Sequence, residues 1–166
     1  EDSELEELSL ALNIAKNSSL NCTEFKRADF KLFQLKTKLQ KILNEVENGR
    51  GFAVLRGLPI KDFSRQQIET ILWGLSTYMG YPISQNSQGQ LITEVADKGS
   101  SYAKNINDRG YMSGDKLNPH VDTSDMSVLL CLETAASGGK SSLTSSLTIY
   151  NEILKSRPDL LDIYKK

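Results

Sequence analysis

The stretch LNPHVDTSDMSVLLCLE, residues 117–133, contains the chain's only histidine, His120, two positions before Asp122. In an extended strand the side chains at i and i+2 point to the same face. An extended "PHVDT" therefore sets His120 and Asp122 side by side, with Val121 turned away. An imidazole nitrogen and a carboxylate on one face form a chelating pair suited to Fe(II), Mn(II) or Zn(II). One more histidine, from a distant strand, would complete a facial triad of two histidines and one carboxylate. Taken alone His-x-Asp is unspecific, because a single histidine more often sits hydrogen-bonded at a strand end.

On the C-terminal side of the pair, "MSVLLCLE" (126–133) reads as a buried strand and "TAASGG" (134–139) as a turn in which two glycines allow a tight bend. Hydroxyl residues follow, and "SSLTSSLTIYNEILKSRP" (141–158) runs from a loop or short strand into a helix near residues 147–156. Pro158 and Asp159 suit the first turn of another helix. The tripeptide "GKS" invites comparison with a phosphate-binding loop. That motif needs a glycine five positions before its last glycine, and counting back from Gly139 gives Thr134, so the comparison fails.

On the N-terminal side, residues 82–119 are polar and rich in Ser, Asn, Gln, Gly and Asp, with "LITEV" (91–95) as their strand candidate. So long a weakly structured stretch in a compact domain is usually functional or mobile. Ser64 and Gln67 form a capping box, and Ile68, Ile71, Leu72, Leu75 and Met79 lay an apolar stripe, which predicts a helix ending at Gly80. "GFAVLRGLPI" (51–60), closed by Gly57 and Pro59, reads as a buried strand. Between residues 30 and 48, Phe30, Phe33, Leu39, Ile42, Leu43 and Val46 recur at three- and four-residue steps until "NGRG" breaks the pattern, which predicts an amphipathic helix.

The bulk composition narrows the function classes. A chain of 166 residues has the length of one domain and can bury a sizeable core. With 39% hydrophobic residues, 25% charged residues and a net charge of -1, it has no polybasic field to attract nucleic acid or anionic lipid. No apolar run approaches the roughly 20 residues that span a bilayer. The acidic start "EDSELEELSL" has no signal-peptide pattern, so a cytoplasmic location is expected. Cys22 and Cys131 stand far apart without a CxxC, which indicates buried or partly buried thiols and no zinc site or disulfide framework.

The string "HVDTSDMSVLLCLETAASGGKSSLTSSLTIYNEILKSRPDLL" (120–161), with "GFAVLRGLP" (51–59) and "GYPISQNSQGQLI" (80–92), resembles the TauD/TfdA-like family of Fe(II)- and 2-oxoglutarate-dependent dioxygenases. The likeness runs from about Gly51 to Lys166. It implies an α+β fold: a double-stranded β-helix, or jelly roll, dressed with helices and incomplete at its C-terminus. The whole chain would then be one domain, the N-terminal portion of such an oxygenase, with a leading helical segment over 1–50 and the first part of the jelly roll over 51–166. By the same resemblance His120 and Asp122 match the first two iron ligands. Ser141, where the family more often has threonine, matches the position that holds a carboxylate of 2-oxoglutarate. Gln85, Asn86, Tyr102 and Tyr111 are candidates for contact with a small-molecule substrate. The implied reaction couples oxidative decarboxylation of 2-oxoglutarate by O₂, giving succinate and CO₂, to hydroxylation of a C–H bond of a small organic substrate. Halogenating relatives replace the carboxylate ligand with a small residue, so Asp122 points to hydroxylation.

Two departures limit the likeness. The family requires a second histidine, and it pairs the far carboxylate of 2-oxoglutarate with a downstream arginine. This chain has one histidine, and its only arginine after the pair is Arg157, next to Pro158. A guanidinium fork is the natural partner of a carboxylate, and lysine replaces it poorly. Both missing groups belong to a later part of the family fold. The 166 residues are thus expected to be the N-terminal part of a longer enzyme, inactive alone. The alternative is a non-catalytic, truncated or degenerate family member acting as a binding module.

Overall fold

The structure, a computed structural model, describes residues 2–99, 101 and 110–164. Its core is helical and lies near the N-terminus. In α1 (Asp2–Lys16), Leu8, Ala11, Leu12 and Ala15 recur at three- and four-residue steps and are all buried. Asp2 and Glu4 in the first turn and Lys16 in the last complement the helix dipole. The helix predicted from Phe30 forms later, as α2 (Gln34–Asn48), which buries Leu35 and Leu39. Phe30 itself stays in the preceding loop, fully buried, whereas Phe33 at the N-cap position is 77% exposed.

The third helix, α3 (Arg65–Ser76), starts as the capping box predicts: the Ser64 side chain accepts from Gln67 N, and Gln67 Oε1 accepts from Ser64 N at 2.8 Å. It buries Ile68, Thr70, Ile71, Trp73 and Gly74. Turns, rather than helix, carry the chain from Thr77 to Gly80. Long-range polar contacts fix these elements to the loop before α2. Trp73 Nε1 donates to Phe25 O at 2.8 Å, and the Tyr78 hydroxyl donates to Phe30 O at 2.9 Å while accepting from Leu32 N at 2.8 Å. The Arg27 guanidinium stacks 4.9 Å over the Tyr78 ring and donates to Thr77 O.

Glu7 closes the start of α2 from a different helix. Its carboxylate accepts from the backbone N–H groups of Phe33, Gln34 (3.0 Å) and Leu35 (2.9 Å), which have no partner within α2. An anion there also meets the positive end of the helix dipole. Replacing Glu7 with alanine is expected to cost about 1–2 kcal/mol, the range for losing a charge-assisted helix cap, and urea titration of the variant checks it.

Downstream of α3 the architecture changes. The remaining helices are α4 (Ser146–Ser156), which Ser145 caps through Thr148 N at 3.4 Å, and the short α5 (Leu161–Tyr164) after a 3-10 turn at Pro158–Leu160. The helix start anticipated at Pro158 and Asp159 is thus a 3-10 turn leading into α5. Beyond Tyr78, Leu161 is the one buried apolar residue among the described residues. No helix among them is long and apolar enough to cross a membrane.

The strands expected over 51–60, 91–95 and 126–133 are a correction. Each segment is irregular chain without a ladder, and no β-strand forms among the described residues. An apolar, β-branched run reports a tendency to be buried in a sheet, but a strand exists only when a neighbour pairs its N–H and C=O groups. Here the long-range backbone bonds outside helices, among the described residues, are Ala96 N to Tyr111 O (3.1 Å) and Lys98 N to Met112 O (2.9 Å). Unpaired, parts of the predicted strands face solvent, with Val54 69% and Leu129 83% exposed, while Leu58, Leu91 and Ile92 are half-buried against the helical core. The described residues therefore hold helices and irregular chain where the α+β jelly roll was expected.

Candidate metal centre

His120 and Asp122 lie in irregular chain after Pro119, at a surface where their side chains are 60% and 58% exposed. Proline favours an extended conformation in the residue before it, and the carbonyl of that residue, Asn118, lies 2.8 Å from His120 Nδ1. A carbonyl can only accept, so in the neutral ring this contact puts the proton on Nδ1 and the lone pair on Nε2. Nε2 faces Asp122 Oδ1 across 3.9 Å. The other carboxylate oxygen, Oδ2, accepts a short hydrogen bond from Ser127 Oγ, and Ser124 Oγ lies 3.4 Å from that hydroxyl.

The donor set fits a divalent cation. Bonds of about 2.0–2.2 Å to nitrogen and carboxylate oxygen separate neighbouring ligands of an octahedral centre by about 3 Å, and two such bonds in line reach about 4.2 Å. A gap of 3.9 Å lies inside that reach, and two exposed side chains close by the remaining ångström without moving a core. No third His, Cys, Asp or Glu joins the pair among the described residues. The cysteines lie elsewhere: burial, with Glu69 nearby, pushes the half-buried Cys22 thiol up, and Cys131 is exposed.

The glycine bend after the pair has the predicted character. Gly138 and Gly139 have φ of 71° and 67°, a left-handed conformation that L side chains rarely adopt. A Cβ at Gly139 would also sit 2.9 Å from the Cβ of Ala135. Ser141 follows, exposed, in irregular chain.

Asn86 spends its side chain on its own loop. Its Oδ1 accepts from Gln88 N (3.0 Å) and Gln90 N (3.2 Å), and its Nδ2 donates to Gln90 Oε1 at 2.5 Å. Gln85 donates through Nε2 to Ile83 O at 3.0 Å. Tyr111 is half-buried in a 3-10 turn at Gly110–Met112, and Tyr102 lies outside the described residues. Among the described residues no hydrogen bond or ion pair joins Ser141, Gln85, Asn86 or Tyr111 to His120 or Asp122. Sequence reasoning passed over Asn118 and Ser127. Only the proline after Asn118, and the Ser124-to-Ser127 spacing next to Asp122, hinted at them.

Known proteins are similar to this sequence. FR-33289 synthase of Streptomyces rubellomurinus (strain ATCC 31215) is 30% identical over 122 residues, covering 74% of this chain and 36% of the relative. Taurine hydroxylase-like protein SAT17 of Stachybotrys chartarum (strain CBS 109288 / IBT 7711) is 28% identical over 172 residues, covering 99% of this chain and 44% of the relative. The chain thus spans less than half the length of these relatives. The family profile described as "Taurine catabolism dioxygenase TauD, TfdA family" matches residues 17–166, which includes the His120–Asp122 pair, the glycine bend and most of the helical core. The chain belongs to the TauD, TfdA dioxygenase family.

Proposed function

We propose that this chain is the N-terminal part of an Fe(II)- and 2-oxoglutarate-dependent dioxygenase that hydroxylates a small organic substrate in the cytoplasm. The observation that carries the proposal is one imidazole lone pair and one carboxylate oxygen facing each other across 3.9 Å in a chain of this family. His120 Nε2 and Asp122 Oδ1 hold the metal. A set of two histidines and one carboxylate leaves coordination positions free for 2-oxoglutarate and O₂. When bound, the metal and 2-oxoglutarate supply an oxidative decarboxylation, releasing succinate and CO₂, that drives hydroxylation of a C–H bond.

The chain's own residues ligate and orient. Gly138 and Gly139 set the bend after which the Ser141 hydroxyl donates to a 2-oxoglutarate carboxylate. Gln85 and Tyr111, with Tyr102, are candidates for substrate contact, while Asn86 shapes its loop. The second histidine and the arginine for the far carboxylate come from residues outside this chain. Two observations support that division: solvent-facing apolar residues where strands were expected, and relatives more than twice this length. Strands from the remainder would pair these edges and complete the jelly roll.

The test is succinate release by the natural full-length protein with Fe(II), 2-oxoglutarate and a panel of small polar organic acids. Substrate-dependent succinate above a metal-free control is expected from that protein, and none from the 166-residue chain alone. Turnover by the isolated chain would overturn the division of labour. A full-length protein that binds an acid yet releases no succinate would favour a binding module over an enzyme.

A further inference from the structure

We infer that Ser127 is a positioning residue that presets Asp122 for one-oxygen ligation of the metal, an inference resting on the metal reading above. Asp122 has two carboxylate oxygens, and the structure gives them different partners. Oδ2 is engaged by the Ser127 hydroxyl, whereas Oδ1 is the oxygen turned to His120 Nε2. A hydroxyl that donates to one carboxylate oxygen restricts rotation of the group and leaves the other oxygen as the free donor. The opposite ligand is preset in the same way, since the Asn118 carbonyl fixes the tautomer that leaves Nε2 unprotonated. Each metal-facing atom thus has its sister atom tied down within five residues of chain, independently of the helical core.

Ser127 is well placed for this task and has no other evident one. It is exposed, packs into no core, and among the described residues its hydroxyl meets Asp122 and the neighbouring Ser124 hydroxyl. The two ligands are themselves more than half exposed, so packing does not hold the carboxylate and a hydrogen bond must. Threonine at this position would keep the hydroxyl, while alanine would remove it at little cost to folding.

The test is anaerobic titration of the natural full-length protein with Co(II) alone, followed by visible absorption, for the wild type and the Ser127→Ala, Ser127→Thr and Asp122→Ala variants. Ser127→Ala is expected to weaken Co(II) binding about 10- to 100-fold, as loss of a hydrogen bond to a ligand typically does. Ser127→Thr is expected to restore most of it, with circular dichroism and melting temperature unchanged throughout. The inference is overturned if Ser127→Ala binds Co(II) within twofold of the wild type while Asp122→Ala loses binding. An affinity untouched by Asp122→Ala would instead overturn the metal reading itself, and with it this role for Ser127.

Discussion

Asp122→Ala in the natural full-length protein is expected to weaken Fe(II) binding at least about 100-fold, about 2.7 kcal/mol, and to bring succinate release down to the metal-free background. The carboxylate is the only anionic protein ligand in the proposed set, and without it the metal keeps only the two neutral histidine nitrogens of that set. Folding should hardly notice. Asp122 is 58% exposed and, among the described residues, reaches Ser127 and His120, so stability should change by no more than about 0.5 kcal/mol. Asp122→Asn is the sharper control, because it keeps an oxygen for Ser127 and removes the charge. If the charge is what binds the metal, asparagine falls close to alanine. If shape is enough, it falls close to the wild type. Isothermal titration with Fe(II) under nitrogen, alongside a thermal melt, separates loss of metal from loss of fold. Unchanged Fe(II) affinity in Asp122→Ala removes the pair from metal binding altogether.

What the sequence made legible follows from how local each feature is. The capping box at Ser64 and Gln67, a helix near residues 147–156 and the glycine bend at 138 and 139 are decided by a few neighbouring residues, and all were readable. The i and i+2 spacing of His120 and Asp122 puts side chains on one face only if the chain is extended; here the two side chains stand 3.9 Å apart. Strands are non-local. "GFAVLRGLPI" and "MSVLLCLE" carry the composition of buried strands, yet nothing in them states which segment pairs with them. Tertiary helix caps were equally invisible: Glu7 on α1 closes α2, and Arg27 binds the end of α3, contacts that local patterning never encodes. The solvated candidate Asn86 shows the converse. Its amide meets the loop's own N–H groups two and four residues on, a local turn pattern that asparagine favours and that competes with any role toward a ligand.

Phe30→Ala is expected to destabilise the chain by about 3–5 kcal/mol, the range for emptying a buried aromatic site. Phe30 is fully buried, and its ring lies where α3 has no side chain: a Cβ added at Gly74 would stand 2.4 Å from its Cδ1. Ring and glycine are therefore one packing unit. Around them, Tyr78 holds the backbone of Phe30 and Leu32, and Trp73 holds Phe25, so the loop before α2 cannot collapse freely into the vacated space. Gly74→Ala should act from the other side. Alanine gains about 1 kcal/mol of helix propensity over glycine, but a clash this close should cost more, leaving a net loss of about 1–3 kcal/mol. The decisive measurement is the pair. Phe30→Leu with Gly74→Ala should be less destabilising than the sum of the two single changes, because the smaller side chain leaves room for the new methyl group. Strict additivity in urea titrations would show that α3 and the Phe30 loop do not touch as described. Neither change should alter Fe(II) affinity beyond its effect on the folded fraction. Phe30 and Gly74 belong to the helical layer, whereas His120, Asp122 and Ser127 are exposed residues of the irregular chain that follows it.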